Sequence, residues 1–498
     1  KRTLWFTRSY IMAIHENKDN TDNFRSTLAQ VVATLALSCL SFSIGFVAVM
    51  PTIVIGALRN DTSPLGMSET AASWFGSVMF VMQPMGSGVS AFLQDILGRK
   101  TCLMAVNIPN LIAWTIIYFS SSTLHLFMAV IIIGIAMGFL EAPILSYVGE
   151  ITQPRLRGIL TSFSGVFSTI GMMILSSLAT VMDWRNLALI SMSGPVMALV
   201  ALAFVPDSPA WLVSKGRVSD AEKAFQWLRG WVRPEDVKHE LAAIVSYVKE
   251  TQSLKIIDNV EYKAVPNKEN PVTTNPKGRL QLLMEPRVRK AFQIVFIYFT
   301  IMACAALLAM RPYFIEILKD IGSPIRPHIA LALCNALQLV GAICGGVLMR
   351  ILGKRRLSFL SLGLSVFCCL TLGLYLSYRP EFPWIPVALF SLSYFAGPLG
   401  IFVIPWILIM ELFPLRARGM AGGICGAVAH GLFFTTTKTY YSLVHLVDIS
   451  GACYFYGAVG VLGFIYLYWD LPETEGVSLE EIERKFGERR NSKQYRSP

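Results

Sequence analysis

Residues 150–158 read EITQPRLRG, and residues 411–419 read ELFPLRARG. In each, a glutamate stands seven residues before an Arg-Gly step, with Pro154 between in one and Pro414 in the other. Gly158 and Gly419 are 261 positions apart. A second pair of signatures recurs in the same order: Gly98-Arg99-Lys100 and Gly353-Lys354-Arg355-Arg356, with the glycines 255 positions apart. Two unlike motifs kept in order at nearly one offset mark an internal duplication. Every copy lies at the end of a long apolar run, so the duplicated unit is a group of membrane helices.

Working outward from these motifs, twelve apolar runs appear, at about 28–57, 70–95, 101–119, 123–148, 158–181, 187–205, 291–318, 328–351, 357–378, 383–412, 419–443 and 450–470. A bilayer span takes about 20 mostly apolar residues, so twelve spans use roughly 240 of the 498. The expected fold is an all-α membrane protein with twelve transmembrane helices in two six-helix halves, 28–205 and 290–471. Residues 1–27 and 472–498 read as cytoplasmic terminal segments. Residues 206–289 read as a cytoplasmic linker with short helices at Ser219–Leu228 and Pro234–Tyr247 and a loose stretch over 252–280. The chain starts at Lys1 without a Met, which leaves room for residues upstream. Paired repeats with a midplane site between them are the architecture of secondary transporters.

Composition agrees and excludes the main alternatives. Hydrophobic residues are 54% and charged residues 15%, against about 25% charged in a soluble domain; mean hydropathy is +0.54. That is too little charge for the surface of a soluble enzyme of this size, and no nucleophile–base constellation, metal cluster or phosphate loop stands out. The nine cysteines lie in or beside apolar runs without a CxxC pair, so neither a zinc site nor a disulfide framework is expected. No metal and no cofactor is called for. The net charge of +11 collects at the ends of apolar runs, which is a topology signal and not a nucleic-acid footprint. Arg99, Lys100, Arg155, Arg157, Lys354, Arg355, Arg356, Arg416 and Arg418 sit on one side, which the positive-inside rule makes cytoplasmic, with both termini. The sequon Asn60-Asp61-Thr62 then falls in the first outside loop, making Asn60 a candidate glycosylation site.

At this point the chain resembles the sugar porters of the major facilitator superfamily, and among them the insect facilitated trehalose transporters. The resemblance rests on Trp74-Phe75-Gly76-Ser77-Val78-Met79, Tyr147-Val148-Gly149-Glu150, Pro206-Asp207-Ser208-Pro209-Ala210-Trp211-Leu212 and Trp227-Leu228-Arg229-Gly230. In the second half it rests on Pro405-Trp406, Glu411-Leu412-Phe413-Pro414, Thr437-Lys438-Thr439-Tyr440 and Pro472-Glu473-Thr474-Glu475-Gly476. It implies facilitative, alternating-access uptake of a sugar, trehalose or a hexose, across the plasma membrane. It also implies that Glu150, Arg157, Glu411 and Arg418, with Arg99 and Lys100 beside them, form a gate whose charges pair between the halves when the inner side is shut. Their other reading is that the basic residues only fix orientation.

The sugar-gripping side chains of the family are largely replaced. Its fifth-span glutamine position holds Gly165, its seventh-span glutamines fall at Met302 and Ala303, and its asparagine there at Leu308. The eighth-span asparagine falls at Gln338, which shares a helix face with Asn335. The tenth-span tryptophan is kept as Trp406, but the acid upstream falls at Pro398. In the eleventh span an Asn-Trp pair becomes Ala429-His430. Each buried hydroxyl left unpaired costs about 1–3 kcal/mol, so either other groups hold the sugar or the ligand is less polar. Acids inside spans are functional candidates. Glu141 lies on a stripe with Gly134, Gly138 and Leu145 and reads as a cavity group, a counter-ion for a cation, or a structural acid. His430 reads as a cavity wall or a hydrogen-bonded structural histidine, Trp406 as a stacking platform or a core residue. Arg311 and Glu316 read as an outer gate or as snorkelling anchors, Lys438 as an interfacial anchor. No acid lies between Ser26 and Leu58, whereas proton-coupled sugar porters resemble one another in carrying one there; this points to uniport unless Glu141 has taken over. The partners expected are a small molecule and the lipid bilayer, and nothing marks an oligomeric state. A carrier of a less polar or cationic metabolite, and a membrane receptor that binds without carrying, stand as the alternatives.

Overall fold

The computed structural model describes residues 24–59, 62–261, 286–305, 307–378, 380–413 and 415–475. Asn60 and the terminal segments lie outside the described residues, as do the side chains of Arg157 and Arg418. The described chain is helical, without a strand beyond one isolated bridge between Arg59 and Met67. Twelve long helices run back and forth: α1 (Phe24–Leu58), α2 (Glu69–Leu97), α3 (Arg99–Tyr118), α4 (Thr123–Ile151), α5 (Pro154–Leu178), α6 (Trp184–Ala203), α7 (Val288–Ile321), α8 (Pro327–Leu352), α9 (Lys354–Tyr378), α10 (Trp384–Leu412), α11 (Leu415–Lys438) and α12 (Tyr440–Asp470). Five are interrupted within their length: α3 at Val106, α6 at Met192, α7 by a 3-10 turn over Leu308–Tyr313, α10 between Leu399 and Ile404, and α12 by a kink at Asp448. Among the described residues, nine of the twelve are long and apolar enough to cross a membrane by composition, and α5 adds a shorter apolar stretch, Ser162–Leu178.

Packing repeats from one half to the other. In the first, α1 lies on α5 and α6, α2 on α4, and α3 on α4 and α6. In the second, α7 lies on α11 and α12, α8 on α10, and α9 on α10 and α12. The halves meet chiefly through α5 with α8 and α2 with α11, contacts that the duplication makes equivalent. Close approach depends on glycine, as is usual between membrane helices. A Cβ on Gly138 would sit 1.8 Å from the Gln83 carbonyl of α2, and one on Gly341 would sit 2.2 Å from the Phe395 carbonyl of α10.

The repeated Gly-basic motifs make the same turn twice. Gly98 (φ +94°) joins α2 to α3 and Gly353 (φ +78°) joins α8 to α9, both in a backbone region that other L-residues avoid. The Trp211 ring covers Gly98, and the Glu473 carboxylate covers Gly353 while accepting from the backbone N–H groups of Lys354 and Arg355. Trp211 belongs to a short helix, Pro209–Ser214, which its Nε1 ties to the Asp95 carbonyl at 3.1 Å. Helices Val218–Leu228 and Pro234–Glu261 follow. The last runs well past Tyr247, into the stretch expected to be loose; residues 262–285 lie outside the described residues. The side carrying these helices is called the linker side below, the opposite one the far side.

Candidate functional site between the halves

At mid-span, Glu141 of α4 and His430 of α11 face each other across the division between the halves, Oε1 to Nε2 2.9 Å. The His430 side chain is 7% exposed and that of Glu141 40%, so the histidine is seated in its own half and the acid stands open. Around the imidazole lie aromatic rings of the second half: Trp406 at 6.0 Å and Phe433 at 6.1 Å between centroids. Phe299 stands edge-on to Trp406 at 4.8 Å, and Phe80 of α2 approaches Phe433 at 5.9 Å. The break in α10 upstream of Pro405 aims Trp406 here. A Cβ on Gly426 would only just touch the Trp406 ring, and those on Gly423 and Gly165 would meet nothing within 4 Å; these faces of α11 and α5 border open space. The stripe on α4 divides. Gly134 and Gly138 press on α2, whereas Glu141 and Leu145 are open.

Gln338 of α8 sits where α8 crosses α5. It accepts from Arg311 Nη1 at 2.9 Å and reaches the Met172 sulfur of α5 at 3.5 Å. Asn335, one turn earlier, is buried, and its Nδ2 has no hydrogen-bond partner. Met302 is buried in the apolar cluster of the second half. Arg311 does not snorkel. It turns inward from the 3-10 turn, its guanidinium lying between the Tyr394 ring at 4.1 Å and the Phe402 ring at 4.8 Å, with Nε and Nη2 enclosed and unpaired.

Polar ties between the halves gather on the far side. Arg59 of α1 donates to Glu316 of α7 at 3.0 Å and also holds Glu69 at 2.7 Å. Lys319 donates to the Gly56 carbonyl at 2.7 Å, and Thr52 to the Arg311 carbonyl at 2.9 Å. His445 of α12 meets Glu69 at 2.6 Å. Lys438 donates to Ser73 at 2.8 Å and lies over the Trp74 ring, so it ties α11 to α2 and is more than an interfacial anchor. Among the described side chains, the charges on the linker side pair within each half. Arg99 holds Glu150 at 3.1 Å and caps the end of α2 through the Gln94 carbonyl; Ser208 donates to the same carboxylate; Lys100 donates to the Ala203 carbonyl of α6. In the second half, Lys354 holds Glu411 at 2.7 Å and Glu475 at 2.8 Å. With the far side tied, Glu150 and Glu411 are therefore held by bases of their own halves.

Several of these groups were not singled out as site residues from the sequence. Lys354 was within reach, because it is to Glu411 what Arg99 is to Glu150 in the repeat. Arg59 carries no such signal: its role depends on where α7 ends.

A profile of the family described as "Sugar (and other) transporter" matches residues 28–486. The facilitated trehalose transporter of Polypedilum vanderplanki is 28% identical over 463 residues, covering 92% of this chain and 88% of that protein. The facilitated trehalose transporter of Apis mellifera ligustica is 26% identical over 466 residues, with the same two coverages. Among solved structures, the partially occluded inward-open xylose transporter XylE from E. coli superposes with a TM-score of 0.68 at 17% identity, over 90% of this chain and 99% of that one. A complex described as that of the proton:xylose symporter XylE with 6-bromo-6-deoxy-D-glucose gives 0.67 at 18% identity, over 93% and 100%. A family match spanning both halves, and a shared fold in which the same twelve helices close around a central division, make this chain a member of the sugar transporter family with the twelve-helix major facilitator fold.

Proposed function

We propose that the chain is a facilitative carrier of trehalose or a hexose in the plasma membrane, working by alternating access, with its linker and termini in the cytoplasm. The observation that carries this reading is the asymmetry of the ties among the described side chains: polar bonds between the halves close the far side, while the described linker-side charges pair within halves. Such an arrangement suits a protein whose halves, 28–205 and 290–471, rock about a central site. Relatives named as facilitated trehalose transporters supply the substrate class, and Gln338, Asn335, Trp406 and His430 supply hydrogen bonds and a stacking face. The purified protein in liposomes should take up labelled trehalose or glucose saturably, with faster exchange from preloaded vesicles and no accumulation driven by a proton gradient. Gradient-driven accumulation would overturn the uniport reading, and absence of any sugar flux would overturn the substrate class. Orientation has its own check. Asn60→Gln should remove a glycosidase-sensitive mass increment, and Lys223→Cys, on the Val218–Leu228 helix, should react with an impermeant thiol reagent only after the cells are opened. Labelling of Lys223→Cys in intact cells would reverse the topology.

A further inference from the structure

We propose that the central site takes a cationic sugar, one bearing a protonated amine, and that Glu141 is its counter-ion. This deepens the carrier reading above and rests on it. A carboxylate at mid-span is expensive unless something compensates its charge. Its partner is one imidazole nitrogen of the opposite half. With the imidazole on the first oxygen, the second oxygen of this carboxylate, whose side chain is 40% exposed, is left for a ligand. The imidazole that holds this acid is ringed by aromatics: Trp406 and Phe433 lie around it, Phe299 stands against Trp406, and Phe80 of the first half meets Phe433. A carboxylate with aromatic rings one imidazole away is a combination that suits an ammonium group, through a charge-assisted hydrogen bond to the acid and attraction to the ring faces, strongest for tryptophan. The described middle turns of α1, α2, α3, α5, α7, α10 and α12, which pack on α4 or α11, carry a single other charged side chain, Arg311. That cation is committed to Gln338, Tyr394 and Phe402. The missing amides fit the same picture. A ligand anchored by one ion pair and one stacked ring needs fewer hydroxyl contacts than a neutral sugar does.

Glucosamine, N-acetylglucosamine and glucose test this, because acetylation removes the charge and keeps the ring. In liposomes carrying the full chain, glucosamine should have a half-saturation concentration at least about tenfold below that of N-acetylglucosamine, a preference a single charge-assisted bond can supply. Its entry should carry current, and about 60 mV, inside negative, should raise its accumulation about tenfold. Glu141→Gln should bring the glucosamine-to-glucose ratio of half-saturation close to one, whatever its absolute rate, and Glu141→Asp should keep the preference. If neither variant folds, the wild-type preference and current still decide. Equal handling of all three sugars overturns the proposal and leaves the carrier reading standing. So does a Glu141→Gln effect limited to the pH dependence of glucose uptake, which would make Glu141 a proton site. Flux of none of the three overturns both readings. Glucosamine flux without glucose flux supports the proposal and removes the neutral-sugar reading.

Discussion

A guanidinium enclosed at mid-span must be compensated from close by, and Arg311 shows how little can suffice. One amide oxygen accepts from it, and two rings cover its faces. A hydrogen bond to a charged group contributes about 1.5–3 kcal/mol, and a desolvated cation–π contact about 2 kcal/mol. Removing the acceptor and keeping the charge is the costly change; removing the charge at constant volume is often neutral or stabilising. Gln338→Leu should therefore lower the melting temperature in detergent, Arg311→Met should leave it level or raise it, and the double variant should lose less than Gln338→Leu alone. Equal losses for both single variants would mean that Arg311 is held by something other than Gln338. The sequence offers Arg311 as an outer gate or a snorkelling anchor because counting along a regular helix places it near the outer end of α7. Leu307 has φ +53°, and Leu308–Tyr313 is a 3-10 turn. At 3.0 residues per turn in place of 3.6, the register rotates, and a face read from the α-helical period is the wrong face.

Among the helices, α2 and α11 meet across the division, and the described residues of neither hold a stretch as apolar as those of the nine strongest spans. A span bordering water and a second helix bundle needs small and polar residues where a lipid-facing one needs Leu and Ile. That explains why α2 and α11 are weaker among the twelve apolar runs, and why the motifs at their ends and the six-and-six repeat help to mark them. The close-packed glycines of α2 make a prediction within one helix. A Cβ on Gly86 would lie 1.9 Å from the Ile135 carbonyl of α4, whereas one on Gly88 meets nothing within 4 Å. Gly86→Ala must push two backbones apart and should cut the yield of folded protein several-fold. Gly88→Ala should be harmless or stabilise by about 0.5–1 kcal/mol, since it only restricts the unfolded chain. Folded protein can be counted by size-exclusion of a fluorescent fusion. Equal yields from the two variants would mean that α2 and α4 do not depend on this approach.

For the molecule as a whole, one contact had to wait for three dimensions. Glu141 and His430 were each nominated from the sequence and are 289 residues apart; that they touch depends on how α4 of one half is presented to α11 of the other, which no periodicity encodes. The same docking sets the far-side ties, and these define which way the carrier faces. Arg59 alone joins α1 to Glu316 of the other half and to Glu69 of its own, with side-chain exposures of 17%, 13% and 38%. A carrier needs two states of similar free energy, so a tie present in one state shifts the balance by its own strength and no more. Taking about 1.5–3 kcal/mol for a partly desolvated charge-assisted bond, Arg59→Gln should move the ratio of states by about ten- to a hundredfold toward the one open on the far side. Spin labels on Ser121→Cys, in the α3–α4 loop, and Glu381→Cys, in the α9–α10 loop, report that opening. Both positions are exposed and lie on opposite halves at the far end. The distance distribution should gain a longer population in Arg59→Gln, and Glu316→Gln should do the same through the same bond. The double variant should add little to either, because both remove one interaction. A distribution unchanged in both single variants would show that the apolar packing of Ile315 against Gly56 and of Pro312 against Gly76 holds the far side shut without the charges.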